Sequence, residues 1–278
     1  MDARIVVTSR TFGSKFQGLV YAQVRKILPH GYTIDECLMP ESQPDDAIHT
    51  RLMKFLEGPS RPEALISLCV VPAVETVAAF AQAGIPIIIL DNEVPGASTI
   101  TSDNVKGGYL AAQHLLKQGR RTLGLIYGGP RARKDYIAEQ RMRGFEKGLR
   151  EAGVVLAPAN VVDAPDYSRK DGSDALPKFL HPGNRIDGLF CAAGDACAIG
   201  FLAEARKHSM KIPEQIAVVG YDDSPLAGIC EPPLTTIRQP IEMMAQEAVR
   251  LATEERATLH KKPARLLMEP RLVVRSST

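Results

Sequence analysis

The chain has 278 residues, 45% of them apolar and 24% charged, with a formal net charge of +2. That length holds two domains or one large α/β unit with ample core, and a near-neutral chain without a basic stripe does not argue for nucleic-acid binding by its body. No apolar run approaches the ~18 residues of a membrane span, and MDARIVVTSR enters a strand without the regions of a signal peptide.

Short apolar runs alternate with amphipathic segments along the chain. Residues 5–8 read as a strand, and 14–28 as a helix with Phe16, Leu19, Val20, Val24 and Ile27 on one face. A strand at 32–37, a helix at 45–56, a strand at 64–69, a helix at 73–83 and a strand at 85–90 come next. Residues 91–102, with Pro95 and Gly96, read as a loop. Asp103 is placed to cap a helix that runs to about Gln118, with Gly119 as its C-terminal stop. A second series has strands at 122–127, near Val161 and at 188–191, and helices at 136–151, 172–180 and 195–208. Such repeats imply parallel, doubly wound sheets with right-handed crossovers.

The next stretch, 216–240, reads IAVVGYDDSPLAGICEPPLTTIRQP. Residues 216–219 suit a strand buried on both faces, and Asp222 and Asp223 fall at its C-terminal edge, where open α/β sheets take ligands. The bland alternative is a pair of solvated turn carboxylates. A second short strand at 234–237, a helix from Pro240 to about Thr253 and strands at 264–268 and 272–274 complete the chain. The expected fold class is α/β, two Rossmann-like lobes with parallel sheets joined by several crossover hinges. The lobes are expected at 1–118 plus 240–267 and at 119–239 plus 268–278, with a cleft between them suited to a small molecule.

Enzyme signatures are missing. There is no GxGxxG after the first strand, no Walker GxxxxGK[ST] and no GxSxG, and the stretch Gly128-Gly129-Pro130-Arg131 reads as a loop. The histidines at 30, 49, 114, 181, 208 and 260 are scattered, and the five cysteines show no CxxC or zinc spacing. No enzyme, metal or cofactor is expected, and free thiols point to a reduced, cytoplasmic protein.

VVGYDDSPLAGICEPPLTTIRQP resembles the signature of the LacI/GalR transcriptional regulators in their effector-binding, periplasmic-binding-protein-like type I domain. SDNVKGGYLAAQHLLKQGRRTLGLIYG, RMRGF and the closing LVVRSST resemble further elements of that family in the same order. The resemblance implies an effector site in the inter-lobe cleft. There Arg141 grips ligand oxygens, Asp222 accepts from ligand hydroxyls and Tyr167 stacks on the ligand unless it packs on its own lobe. Phe16 faces the cleft or joins the core, and Asp103 contacts ligand or only caps its helix. Where the family has Asn-Asp this chain has Gly194-Asp195, so Asp195 remains as a candidate contact and one amide is missing. Lys106, with Arg141, extends the expected effector from a sugar to a sugar acid or phosphate. The resemblance further implies a homodimer, no membrane partner, and DNA contact only through an N-terminal helix-turn-helix for which this chain shows no pattern before Arg4. The alternative on the same fold is the solute-binding receptor of a sugar transporter.

Overall fold

The computed structural model describes residues 3–13, 16–40, 45–58, 60–129, 136–180, 185–254 and 262–278. His181, His260, Pro130, Arg131 and the first two residues of the helix expected at 14–28 lie outside them. The chain divides into two compact units, Met1–Ser102 with Pro240–Met268 and Asp103–Gln239 with Glu269–Thr278.

The first unit contains strands β1 (Ala3–Ser9), β2 (Tyr32–Leu38), β3 (Ala64–Leu68), β4 (Ile87–Leu90) and β5 (Ser98–Ser102) and helices α1 (Phe16–Ile27), α2 (Asp45–Glu57) and α3 (Val74–Gln82). The second contains α4 (Asn104–Lys117), β6 (Leu123–Gly128), α5 (Tyr136–Glu151), β7 (Val161–Ala164), α6 (Arg169–Ala175), β8 (Gly188–Cys191), α7 (Asp195–Lys207), β9 (Ala217–Asp222) and β10 (Thr235–Arg238). The chain then returns to the first unit for α8 (Ile241–Glu254) and β11 (Arg265–Met268), and ends in the second with β12 (Arg271–Val273).

The sheets run β11-β5-β4-β3-β1-β2 and β12-β10-β9-β8-β6-β7. Among the described residues the strands of both sheets pair in parallel except β10 with β12, which is antiparallel. Alternating side chains of each strand feed opposite faces. In the first unit Ile5, Val7, Ile66 and Ile88 pack with Val20 and Val24 of α1 and Met244 and Ala248 of α8. On the other face Val6, Leu65, Ile87 and Ile89 pack with Ile48 and Leu52 of α2 and Val77 and Phe80 of α3. The second unit repeats the plan, with α4 and α5 over Leu125, Phe190 and Val219 and α6 and α7 over Ile126, Leu189 and Val218.

The structure corrects the sequence reading at three places. Residues 98–102, expected as loop, form β5, buried throughout between β4 and β11. The segment STITS hides because its hydroxyls break the apolar run while its β-branched residues still suit a strand. The helix expected at 172–180 begins at Arg169, where Ser168 and Asp171 form a capping box, and passes into a 3-10 turn at Leu176–Phe179 around Pro177, which has no N–H for an α-helical bond. The first crossing lies at Ser102/Asp103 rather than at 118/119, which puts α4 in the second unit.

Glycine explains that assignment. A Cβ on Gly144 would lie 2.7 Å from the Val105 carbonyl carbon, one on Gly108 2.8 Å from the Phe145 nitrogen, and one on Gly148 2.7 Å from the Ala112 Cβ. The backbones of α4 and α5 therefore approach along a seam with no room for a Cβ at these three glycines. Each glycine costs about 1 kcal/mol of helix propensity, which the close packing offsets.

Gly144→Ala is expected to destabilise the chain by about 1–3 kcal/mol through overpacking, measured by urea unfolding. Gly58→Ala is the control, because its Cβ would meet the Lys54 carbonyl at an ordinary 3.6 Å. Equal effects of the two substitutions would contradict the seam.

Candidate functional site

In the second unit β6 pairs with β7 on one side and β8 on the other, so the strand order reverses at β6. The carboxyl edge beside such a reversal is where open α/β sheets take ligands. Arg141, on the helix that leaves β6, reaches this edge, and its Nη1 donates to the carbonyl of Ala192 just past β8 at 2.8 Å.

Arg141 is only 5% exposed, so its charge has to be compensated locally. Its Nε donates to Asn104 Oδ1 at 2.8 Å. Its guanidinium carbon stands 3.7 Å from the centroid of the Tyr221 ring, a close cation–π contact. The Tyr221 hydroxyl donates to the same Asn104 oxygen at 3.0 Å. Gly107 leaves room for that ring, since a Cβ there would fall 2.8 Å from Tyr221 Cε2.

Asp222 ends β9 with a φ of 106°, an unusual value for a residue with a side chain. It is half-buried, and burial raises its carboxyl pKa, opposed by the Arg141 charge and by a hydrogen bond from Gln239. Gln239 Nε2 donates to Asp222 Oδ1 at 2.7 Å, while Gln239 Oε1 is buried without a hydrogen-bond partner. Asp195 lies behind, 1% exposed, its Oδ1 accepting from Thr236 Oγ1 and its Oδ2 from the Ser224 amide, each at 2.6 Å. Burial and the neighbouring Asp222 charge push its pKa up to about 7. Asp195 thus braces the loop after β9. Asp223 is ion-paired with Arg238 and with Arg275, the latter at 2.5 Å, so it too braces this edge.

The other expected residues are spread more widely. Tyr167, half-buried with a φ of 51°, lays its ring over Gly128 at the end of β6, where a Cβ would fall 2.7 Å from its Cζ. Asp103 caps α4 by accepting from the Lys106 amide at 2.8 Å. Phe16 is 8% exposed and belongs to the core of the first unit. Lys106 pairs its Nζ with Glu269 at 2.6 Å, so its charge is already matched. Sequence reasoning missed Asn104 and Gln239, both buried amides beside a unit crossing. The QP of TTIRQP offered a partial signal for the second and the SDN of SDNVKGG one for the first, but neither assigns the residue a role. Among the described residues no group of three or more His, Cys, Asp or Glu is placed to hold a metal ion. Nor, among them, is any helix long and apolar enough to cross a membrane.

Two doubly wound units joined by three chain crossings, one with an arginine and an aspartate at its carboxyl edge, define a two-unit α/β ligand-binding protein. The profile of the family described as "Periplasmic binding protein-like domain" matches residues 112–278. The HTH-type transcriptional regulator CelR of Thermobifida fusca is 33% identical over 199 residues, 71% of this chain and 56% of that protein. The transcriptional repressor CytR of Escherichia coli K12 is 29% identical over 200 residues, 71% of this chain and 57% of that one. The chain therefore spans little more than half the length of the curated relatives it matches. A solved transcriptional regulator CelR–cellobiose complex superposes with a TM-score of 0.83 at 26% identity, covering 100% of this chain and 85% of that one. The chain belongs to the periplasmic binding protein-like family, in the form carried by LacI-type transcriptional regulators.

Asp195 gives this edge a pH signature. Its carboxyl titrates at about 7 in the folded chain, against about 3.9 when unfolded. The folded state therefore holds the proton more tightly, and this contribution to stability is fully present below about pH 4 and lost as pH rises through about 7. The melting temperature is expected to fall across that window, and Asp195→Asn to flatten the fall. An unchanged slope in the variant would contradict the assignment.

Proposed function

We propose that the chain is the effector-binding part of a LacI-type transcriptional regulator, and that its second unit takes a neutral, hydroxyl-rich small molecule, a sugar or sugar derivative, at the carboxyl edge of its sheet. The observation that carries this reading is the cluster of Arg141, Asp222 and Gln239. It combines a guanidinium with fixed orientation, a half-buried carboxylate and a buried amide oxygen without a donor. Vicinal hydroxyls both donate and accept, and so match an edge that offers acceptors beside a cation.

Charge favours a neutral ligand over an acid or phosphate. The Arg141 charge faces Asp222, Arg238 and Arg275 face Asp223, and Lys106 faces Glu269. An anion at this edge would meet the half-buried carboxyl of Asp222. The solved CelR structure that resembles this chain is described as a cellobiose complex, which agrees with the same class.

The regulatory role, a homodimeric cytoplasmic protein and DNA contact through a separate helix-turn-helix segment belong to the same proposal and rest on the family. An effector would act by binding one arrangement of the two units more tightly than another, with a coupling of about 1–3 kcal/mol.

A thermal-shift series over neutral sugars (cellobiose and ribose among them), sugar acids and sugar phosphates tests the reading. A neutral sugar at a hundredfold excess over its Kd is expected to stabilise by about 2.7 kcal/mol, while acids and phosphates do little. Arg141→Lys and Asp222→Asn should each abolish the response. A response confined to phosphates, or one that survives both substitutions, would sink it.

A further inference from the structure

We infer that Asn104 is a positioning residue, which sets the plane of the Arg141 guanidinium and so determines how the effector is gripped. The inference rests on the proposed role of Arg141 but concerns a residue to which the sequence reading gave no role.

Asn104 is fully buried at the first position of α4, two residues past the crossing at Ser102/Asp103. Its Oδ1 receives two donors from two different elements, Arg141 Nε of α5 at 2.8 Å and the Tyr221 hydroxyl of β9 at 3.0 Å. A carboxamide oxygen has two lone pairs, so both are engaged. The same two donors are linked by the stacking of the guanidinium on the Tyr221 ring. Three groups therefore fix one another, with the Asn104 oxygen as the atom that joins the other two by hydrogen bonds. A guanidinium is a rigid planar fork. Once its Nε is tied to Asn104, its Nη1 to Ala192 and its face to Tyr221, its in-plane rotation is settled along with its tilt.

The backbone around Asn104 is prepared for this. Asp103 caps α4 and fixes the direction of its first turn. Gly107 admits the Tyr221 ring, and Gly108 brings the α5 backbone at Arg141 against α4. The segment that leaves the first unit thus enters the second at the residue that holds the ligand-gripping cation.

The test uses the Arg141 Nε–H resonance in nitrogen-15 spectra of the full chain, identified by its loss in Arg141→Lys. In the wild type this proton should exchange slowly. In Asn104→Ala and Asn104→Leu it should exchange about tenfold faster or more, as expected for the loss of a charge-assisted hydrogen bond, while protection of backbone amides elsewhere in the second unit persists. Asn104→Asp keeps an acceptor in place and should keep the slow exchange, which preserves the test if the apolar variants do not fold. Undiminished protection in Asn104→Leu, or its loss in Asn104→Asp, overturns the inference. Cellobiose and ribose thermal shifts on the same variants separate the two readings. A shift abolished by Arg141→Lys but intact in Asn104→Leu overturns the positioning role alone. A shift intact in Arg141→Lys overturns the assignment of Arg141 to the ligand, and the proposed function with it.

Discussion

A buried guanidinium has to be satisfied from every side, and most of the second unit is arranged to do so. Arg141 sits at 5% exposure with a carbonyl, an amide oxygen, an aromatic face and a carboxylate around it. Removing any one of these would leave a largely buried charge partly uncompensated, a situation that costs several kcal/mol for an unpaired ion. The glycines of α4 and α5 answer the same requirement. Only backbones in contact bring the start of α4, the middle of α5 and the end of β9 close enough to share one acceptor.

That constraint orders the remaining carboxylates. Asp222, Asp223 and Asp195 crowd one sheet edge, and like charges so close would repel if each carried a full charge. The structure divides them. Asp223 is neutralised by two arginines, Asp195 is pushed toward its protonated form by burial, and Asp222 is left beside Arg141 and Gln239. Three residues of one type at one edge therefore do three different jobs, because their surroundings differ.

Much of this was legible in the sequence, and the parts that were not have physical reasons. The strand–helix alternation, the Asp103 cap and the GYDD segment are linear features, so the expected fold and the strand-edge position of Asp222 came from reading along the chain, whereas the candidacy of Arg141 came from the resemblance of RMRGF to a family element. Strand β5 escaped because a buried strand of serine and threonine carries no apolar signature. A break expected at Gly119 follows the end of a helix, but the end of α4 is no boundary, because that helix packs with the second unit. Asn104 and Gln239 are single polar residues whose importance lies in partners 37 and 17 positions away. No local pattern announces such a bond. Asp195 and Lys106 suggested a ligand by type and position, but their atoms are already bound within the protein.

The interleaving of the two units has a consequence for synthesis. One face of the first sheet is covered in part by α8, and β11 closes its edge beside β5, yet both come from beyond residue 240. A nascent chain that has emerged only as far as Ser102 carries Ile66, Ile88 and Ile100 without the methionine and alanines that later cover them. The second unit, apart from its short final strand, is contiguous and has left the ribosome before α8 arrives. The amino-terminal half thus waits, with a sticky face and an open strand edge, for a segment made after its neighbour.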